Sequence, residues 1–338
     1  MMGSDAADHW PFGFSFVICT YQRPDLLEAL LADLRTVLQE AREACEVVVV
    51  DNDNGNRTAA ADVAQGSGVS PRRLHFVHEP KLGLSRARNR GVQESKYRWV
   101  VLLDDDTRLQ SNRMVEDLSR VIRETGATII SPRIVCPVQP NWPKWLKCRL
   151  ATGVGQYDFG AARQVINGRL KTPIGACVAF DRRVFLRYGP FPISLGYKGR
   201  ILIAGEETVL LDRAMISGEP AVYEPAIEIE HPLEQARMTK RYWRRHAWYG
   251  GATTFRVAML VQHTNYRWFS LREVAAGLYH GLKTIIRPRL GMHTAFCRER
   301  DVLFHLGRSA AAARQFVKPV PRSQEQDSEA DSGRCKAF

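Results

Sequence analysis

The apolar run Trp99-Val100-Val101-Leu102-Leu103 stops at three consecutive carboxylates, Asp104-Asp105-Asp106. Such a run reads as a buried strand, and a buried strand that ends in acid must deliver it to the rim of a sheet. An unpaired charge at a low-dielectric edge is costly, and three adjacent carboxylates also repel one another. A divalent cation removes both problems. Carboxylate oxygens suit Mg²⁺ or Mn²⁺, which take one or two protein carboxylates and fill the rest of the shell with phosphate oxygens and water. The bland alternative is a solvated acidic turn.

The surrounding chain decides between them. Phe14–Thr20, Glu46–Val50, Leu74–Val77, Arg98–Leu103 and Ala127–Ser131 read as strands, the second buried on both faces;. Asp25–Ala41 has apolar residues at 26, 27, 30, 31, 34, 37 and 38, a helical stripe, with Pro24 suited to its first turn;. Ser85–Ser95, opened by a serine cap, and Met114–Glu124 are further helices;. Alternation of this kind predicts an α/β fold with a mostly parallel, doubly wound central sheet and ligands at the carboxyl ends of its strands. Thr20, Asp51 and Asp104 each end an apolar run there. Residues 137–172, with Pro137, Pro140 and Pro143, lack periodicity and read as an irregular insertion that shapes a substrate site;. A strand resumes at Ala176–Asp181, and Glu207–Ser217 is helical. The expected organisation is a tail over 1–13, a catalytic domain over 14–234, a basic and mainly helical region over 235–321, and a disordered tail over 322–338.

Charge is unevenly placed. Of the net +12, residues 235–322 hold 17 Lys and Arg against Glu273, Glu299 and Asp301, a local +14 that leaves the rest at −2. A basic third on a nearly neutral body points to an anionic surface or ligand. The seven cysteines form no CxxC pair, so neither a zinc site nor a disulfide framework is expected, and a reducing cytoplasm fits;. No signal peptide and no spanning apolar segment is read. The protein is expected to be cytoplasmic, at most peripheral at the inner face of a membrane.

The motifs form an ordered set. Cys19-Thr20-Tyr21-Gln22-Arg23-Pro24 follows the first strand and Asp51-Asn52-Asp53-Asn54 the second. Lys81-Leu82-Gly83-Leu84-Ser85-Arg86-Ala87-Arg88-Asn89-Arg90-Gly91 then enters a helix, a plausible phosphate or ribose surface;. Leu103-Asp104-Asp105-Asp106, Pro173-Ile174-Gly175-Ala176, Gly205-Glu206-Glu207-Thr208 and His231 complete it. In order and spacing this set resembles the family 2 glycosyltransferases, which have the nucleotide-diphospho-sugar transferase (GT-A) fold. The resemblance covers about residues 14–231.

It implies metal-dependent transfer of a sugar from a nucleotide-diphospho-sugar, a UDP-sugar, to an acceptor hydroxyl with inversion. Thr20, Tyr21 and Arg23 would line the nucleotide pocket, with Asp51 and Asn52 at the base. Gly83, Arg86 and Asn89 would lie near ribose and diphosphate, and Asp104 and Asp105 near the ribose. Asp106 and His231 would hold Mn²⁺ or Mg²⁺, while Gly175 and Ala176 would face the sugar. A base must take the acceptor proton. Glu207 is the first candidate and Glu206 the second, since the family usually has Glu-Asp where this chain has Glu-Glu. The acceptor would be a saccharide or lipid-linked, as in polysaccharide assembly.

Residues 237–249 interleave bases with Tyr242, Trp243, Trp248 and Tyr249, which suits either an anionic membrane surface or internal packing;. Three rivals are weaker. A nucleic-acid-binding protein leaves the carboxylates unexplained, a sugar-nucleotide pyrophosphorylase would need a Gly-rich N-terminal signature, and a dinucleotide oxidoreductase would need GxGxxG after the first strand.

Overall fold

Strand β1 (Phe14–Thr20) lies parallel to β2 (Cys45–Asp51), with Thr20 opposite Asp51. Between them α1 (Pro24–Glu40) begins on Pro24 and buries Leu27, Leu30, Leu31, Leu34, Val37 and Leu38 in one stripe;. Each such side chain removed from water contributes roughly 1.5–3 kcal/mol before entropy is counted. Helix α2 (Ala59–Gly66) leads to β3 (Leu74–His78), which pairs with the outer side of β2. Helix α3 (Leu84–Glu94) leads to β4 (Trp99–Asp104), which pairs with β1 so that Cys19 faces Asp104. Three neighbouring parallel strands therefore end level, on Thr20, Asp51 and Asp104. The serine cap expected for α3 is not observed. Gly83, at φ 148°, occupies the capping position, and Ser85 is buried inside the first turn.

The computed structural model describes residues 10–53, 55, 59–139, 142–146, 155–167, 173–262, 266–286 and 295–317. The expected tail over 322–338, most of that over 1–13 and much of the irregular segment lie outside the described residues. Beyond β4 come β5 (Arg108–Leu109), α4 (Met114–Thr125), β6 (Ile129–Val135), β7 (Gln164–Val165), β8 (Cys177–Asp181), α5 (Arg183–Tyr188), α6 (Glu206–Ile216) and β9 (Ala221–Glu230). Among the described residues the strand order is β3-β2-β1-β4-β8-β6-β9-β5, with β7 beside β9. The sheet is parallel across β3 to β4. It becomes mixed where β8 runs antiparallel to β4 and β6, before β6 pairs parallel with β9. Strand β9 is absent from the sequence reading because Pro225 and three glutamates interrupt its apolar pattern. Pro132 pairs with Glu224 but Arg133 pairs with Glu228, so residues 225–227 bulge out and Pro225 need donate to no ladder;.

The chain divides into two compact units. The first, Met1–Pro137 with Ala151–Phe191 and Leu210–Pro232, holds the whole sheet. The second takes Val138–Leu150, Pro192–Val209 and Leu233–Phe338, so residues 192–209 group with the helical region instead of the expected 14–234 body. In it α9 (Ala295–Val317) packs on both α7 (Lys240–Gln262) and α8 (Tyr266–Ile286). Phe255, Met259, Phe269 and Ala312 form one apolar cluster there. Trp243 is fully buried, with the Arg300 guanidinium 5.0 Å from its ring centre, and Arg244 is paired with Glu299 at 2.6 Å. Trp243 thus serves internal packing, while Arg244 takes part in an exposed ion pair.

Candidate active site

The carboxylates after β4 sit on one tight turn. Both the main-chain N–H and the hydroxyl of Thr107 donate back to the Asp104 carbonyl, at 3.1 and 2.7 Å. Successive side chains then point in different directions. Asp105 is turned inward: Thr20 Oγ1 donates to its Oδ2 at 2.9 Å and Arg23 Nη1 to its Oδ1 at 3.1 Å. Asp106 receives Arg23 on Oδ2 at 3.4 Å and faces His231 Nε2 with Oδ1 at 3.2 Å. Asp104 accepts from Arg88 Nη2 at 2.8 Å.

His231 arrives from the far half of the sheet. It directly follows β9, and its N–H donates to the Val135 carbonyl at 2.8 Å, prolonging the β6–β9 ladder. Gly155, at φ +78°, lies against its imidazole, so a Cβ there would stand 2.5 Å from Nδ1. One oxygen each of Asp104 and Asp106 and one nitrogen of His231 lie within 4.8 Å of one another. Two hard carboxylates and an imidazole are a donor set that fits a divalent cation. Burial pushes the Asp105 carboxyl up to about 7; Arg23 opposes this, and Asp106 and Asp104 add to it. The leading cause is burial, which disfavours the charged form of an acid whatever its neighbours;.

The nearby residues divide into those that meet the cluster and those engaged in scaffolding. Arg88, overlooked in the sequence in favour of Arg86, is buried and bridges Asp104 to the Gly175 carbonyl, both at 2.8 Å. Its guanidinium fills the space where a side chain on Gly175 would begin. Ala176 is buried, and its carbonyl accepts the Asp104 N–H at 3.0 Å. Asn52, expected near the base, instead knits the loop before α3. Its amide donates to the carbonyls of Glu79 and Lys81 at 2.8 and 3.1 Å and accepts the Gly83 N–H at 2.7 Å. Asn89, expected near the diphosphate, brackets the main chain of Phe191 at 2.9 Å in both directions. Both amides bond to backbone in this structure. Asp51 is buried and accepts the Asp53 N–H at 3.0 Å, an orienting contact at the sheet rim. Tyr21 and Arg86 are half-buried, the first just after β1 and the second in the first turn of α3.

Glu206 and Glu207 belong to the second unit, where they open α6, Glu206 buried and Glu207 half-buried. Beside them Tyr197 is buried deeply enough that its phenol is pushed well above the ordinary range; Tyr242 and both glutamates add to this, and Arg237 opposes it.

Gly155 provides a direct check on the histidine. Gly155→Ala is expected to displace the imidazole and weaken Mn²⁺ binding by about 10–100-fold, the usual range for groups that orient a ligand. Gly126→Ala is the control, since Gly126 also has positive φ but has no neighbour within 4 Å of the added carbon. Calorimetric titration with Mn²⁺ measures both, and equal affinities for the two variants would separate Gly155 from the cluster.

The profile described as "Glycosyl transferase family 2" matches residues 15–189, just over half of the chain. The chain is 26% identical over 249 residues to the succinoglycan biosynthesis protein ExoM of Rhizobium meliloti (strain 1021), covering 73% of this chain and 75% of that protein. It is 23% identical over 228 residues to the glucosyl-dolichyl phosphate glucuronosyltransferase of Haloferax volcanii, covering 66% and 70%. Among solved structures it resembles the mannosyltransferase PcManGT from Pyrobaculum calidifontis in complex with GDP-Man and Mn²⁺. That match has 15% identity and a TM-score of 0.54 over 92% of this chain and 91% of that one, a likeness of fold.

Proposed function

The chain belongs to glycosyl transferase family 2, and on that premise we propose that it transfers a sugar from a UDP-sugar, with inversion, to a lipid-linked or saccharide acceptor during polysaccharide or glycoconjugate assembly. The activity itself, metal-dependent transfer from a nucleotide-sugar to an acceptor, follows from the family and the metal-competent cluster. One observation carries the reading: Asp104, Asp106 and His231 converge at the strand ends where a GT-A fold binds its donor;.

Asp104, Asp106 and His231 would hold the cation, and its mixed oxygen and imidazole set favours Mn²⁺ over Mg²⁺. When bound, such a cation neutralises charge that develops on the departing diphosphate. Arg23 adds a fixed positive group beside it, while Thr20 and Arg23 together keep Asp105 turned away from the phosphates. Arg88 holds Asp104 in register with the loop at Gly175. As the acceptor oxygen bonds to the anomeric carbon and the bond to the nucleotide breaks, the acceptor proton passes to Glu207, with Glu206 the alternative base. Acceptor classes named for the relatives, a succinoglycan pathway and a dolichyl phosphate sugar, suggest a membrane-proximal acceptor. We place the protein at the cytoplasmic face of such a membrane.

The nucleotide assignment is testable through Asp51. Its carboxylate can accept the N3–H of uracil, a donor that cytosine lacks, and a mismatched buried hydrogen bond costs about 1–3 kcal/mol. UDP is therefore expected to bind about tenfold or more tightly than CDP in the presence of Mn²⁺, with Asp51→Ala narrowing the gap. Equal binding of UDP and CDP to the unmodified protein would count against base reading by Asp51.

A further inference from the structure

Helix α8 is built inside out. The side that meets α9 carries Phe269, Ser270, Glu273, Gly277 and Gly281, all buried. Gly277 is packed so closely that a Cβ would stand 2.1 Å from Ser309 Oγ and 2.9 Å from the His305 carbonyl. The opposite side carries Trp268, Leu271, Leu278, Leu282, Ile285 and Ile286, between 46 and 74% exposed, with Tyr279 beside them. Those positions recur at helical spacing and form one continuous stripe. The small and polar residues face the protein while the large apolar ones face outward. A contiguous apolar surface of this kind marks an interaction site.

Charge selects the partner. Arg272 and Lys283 flank the stripe and are exposed. The single acid of α8, Glu273, is buried and paired with Arg308. Arg287 and Arg289 follow in the sequence. A second copy docked through this face would bring cations against cations, whereas an anionic lipid surface complements both the apolar stripe and its rim. Among the described residues no helix is long and apolar enough to cross a membrane, which leaves the interfacial mode;. A groove of about 330 Å³ lined by Ile285, Arg298, Glu299, Val302 and Leu303 adjoins the C-terminal end of the stripe.

We propose that α8 lies in the interface of an anionic membrane, its apolar stripe in the acyl boundary and Arg272 and Lys283 at the headgroups. This rests on the membrane-proximal placement proposed above and assigns it to one helix face. The test is co-sedimentation of the full chain with phosphatidylglycerol-containing and pure phosphatidylcholine vesicles, at about 0.05 and 0.5 M salt. Capture is expected on the anionic vesicles at low salt. The double variant Leu278→Glu/Leu282→Glu should reduce it at least tenfold, and Arg272→Ser/Lys283→Ser by about fivefold per cation removed. Leu278 and Leu282 are exposed, so their variant should keep its melting temperature, and Mn²⁺-dependent nucleotide release should be unchanged in both variants. If the unmodified chain binds but both variants bind equally well, α8 is the wrong face while the membrane placement survives. If the unmodified chain ignores anionic vesicles, both fail. A dimer in light scattering that Leu278→Glu/Leu282→Glu dissociates would assign the stripe to a second copy and overturn the proposal.

Discussion

Replacing Asp106 with alanine is expected to lower sugar transfer by about 10³-fold or more, because a cation clamp supplies several kcal/mol of charge stabilisation to the leaving diphosphate. Asp106 alone of the three carboxylates has one oxygen directed at His231 and the other at Arg23, at 3.2 and 3.4 Å. Asp105 is already held by Thr20 and Arg23, so it cannot swing out to replace its neighbour without breaking both contacts;. Asp106→Asn keeps the volume and tests charge alone. A chelator should reproduce both variants in the unmodified protein, and Mn²⁺ should restore that protein but neither variant. Circular dichroism and melting temperature check that the fold persists. Full activity in excess EDTA would sink the metal-dependent mechanism.

The second large effect concerns the base. Glu207→Gln retains size and hydrogen bonding but cannot take a proton, and is expected to reduce turnover by about 10²–10⁴-fold with donor binding nearly unchanged. Both glutamates lie in the first turn of α6, where a carboxylate also offsets the helix dipole;. That bland role is worth only about 0.3–1 kcal/mol and would show as a lower melting temperature, not as a selective loss of turnover. Adjacent helical residues project about 100° apart, so one of the two can serve as base and the other cannot. Greater damage to turnover from Glu206→Gln would reverse the assignment; comparable small effects from both would remove the pair from catalysis.

The parts of this protein legible in its sequence are those where local pattern and burial coincide. Val47–Val50 and Trp99–Leu103 are buried on both faces, so their apolar runs announce parallel strands without tertiary information;. The same runs announce where they end, because charge cannot remain inside, and Asp51 and Asp104 mark the sheet rim. The apolar stripe of α1 is equally plain. Strand β9 was not legible, since its glutamates and Pro225 suit only the bulged pairing that β6 offers.

Sequence order alone determined the α/β class, the level ends of the first strands and the family resemblance. Tertiary structure decided which polar groups are left to act. Asn52 and Asn89 carry the chemistry of ligand contacts, and only the structure shows that their amides also tie down the loops around them. Arg88 reads as one more cation on a basic helix, and only the packing of α3 turns it inward between Asp104 and Gly175. Asp104 meets Asp106 and His231, 125 residues downstream of Asp106, because β4 and β9 end on the same side of one sheet. In α8, apolar residues that would ordinarily be core stand outside because glycine and serine let α9 approach the other face. Periodicity specifies which residues share a face of an element; the partner that element packs against specifies which face is buried, and that choice is made by contacts distant in the chain.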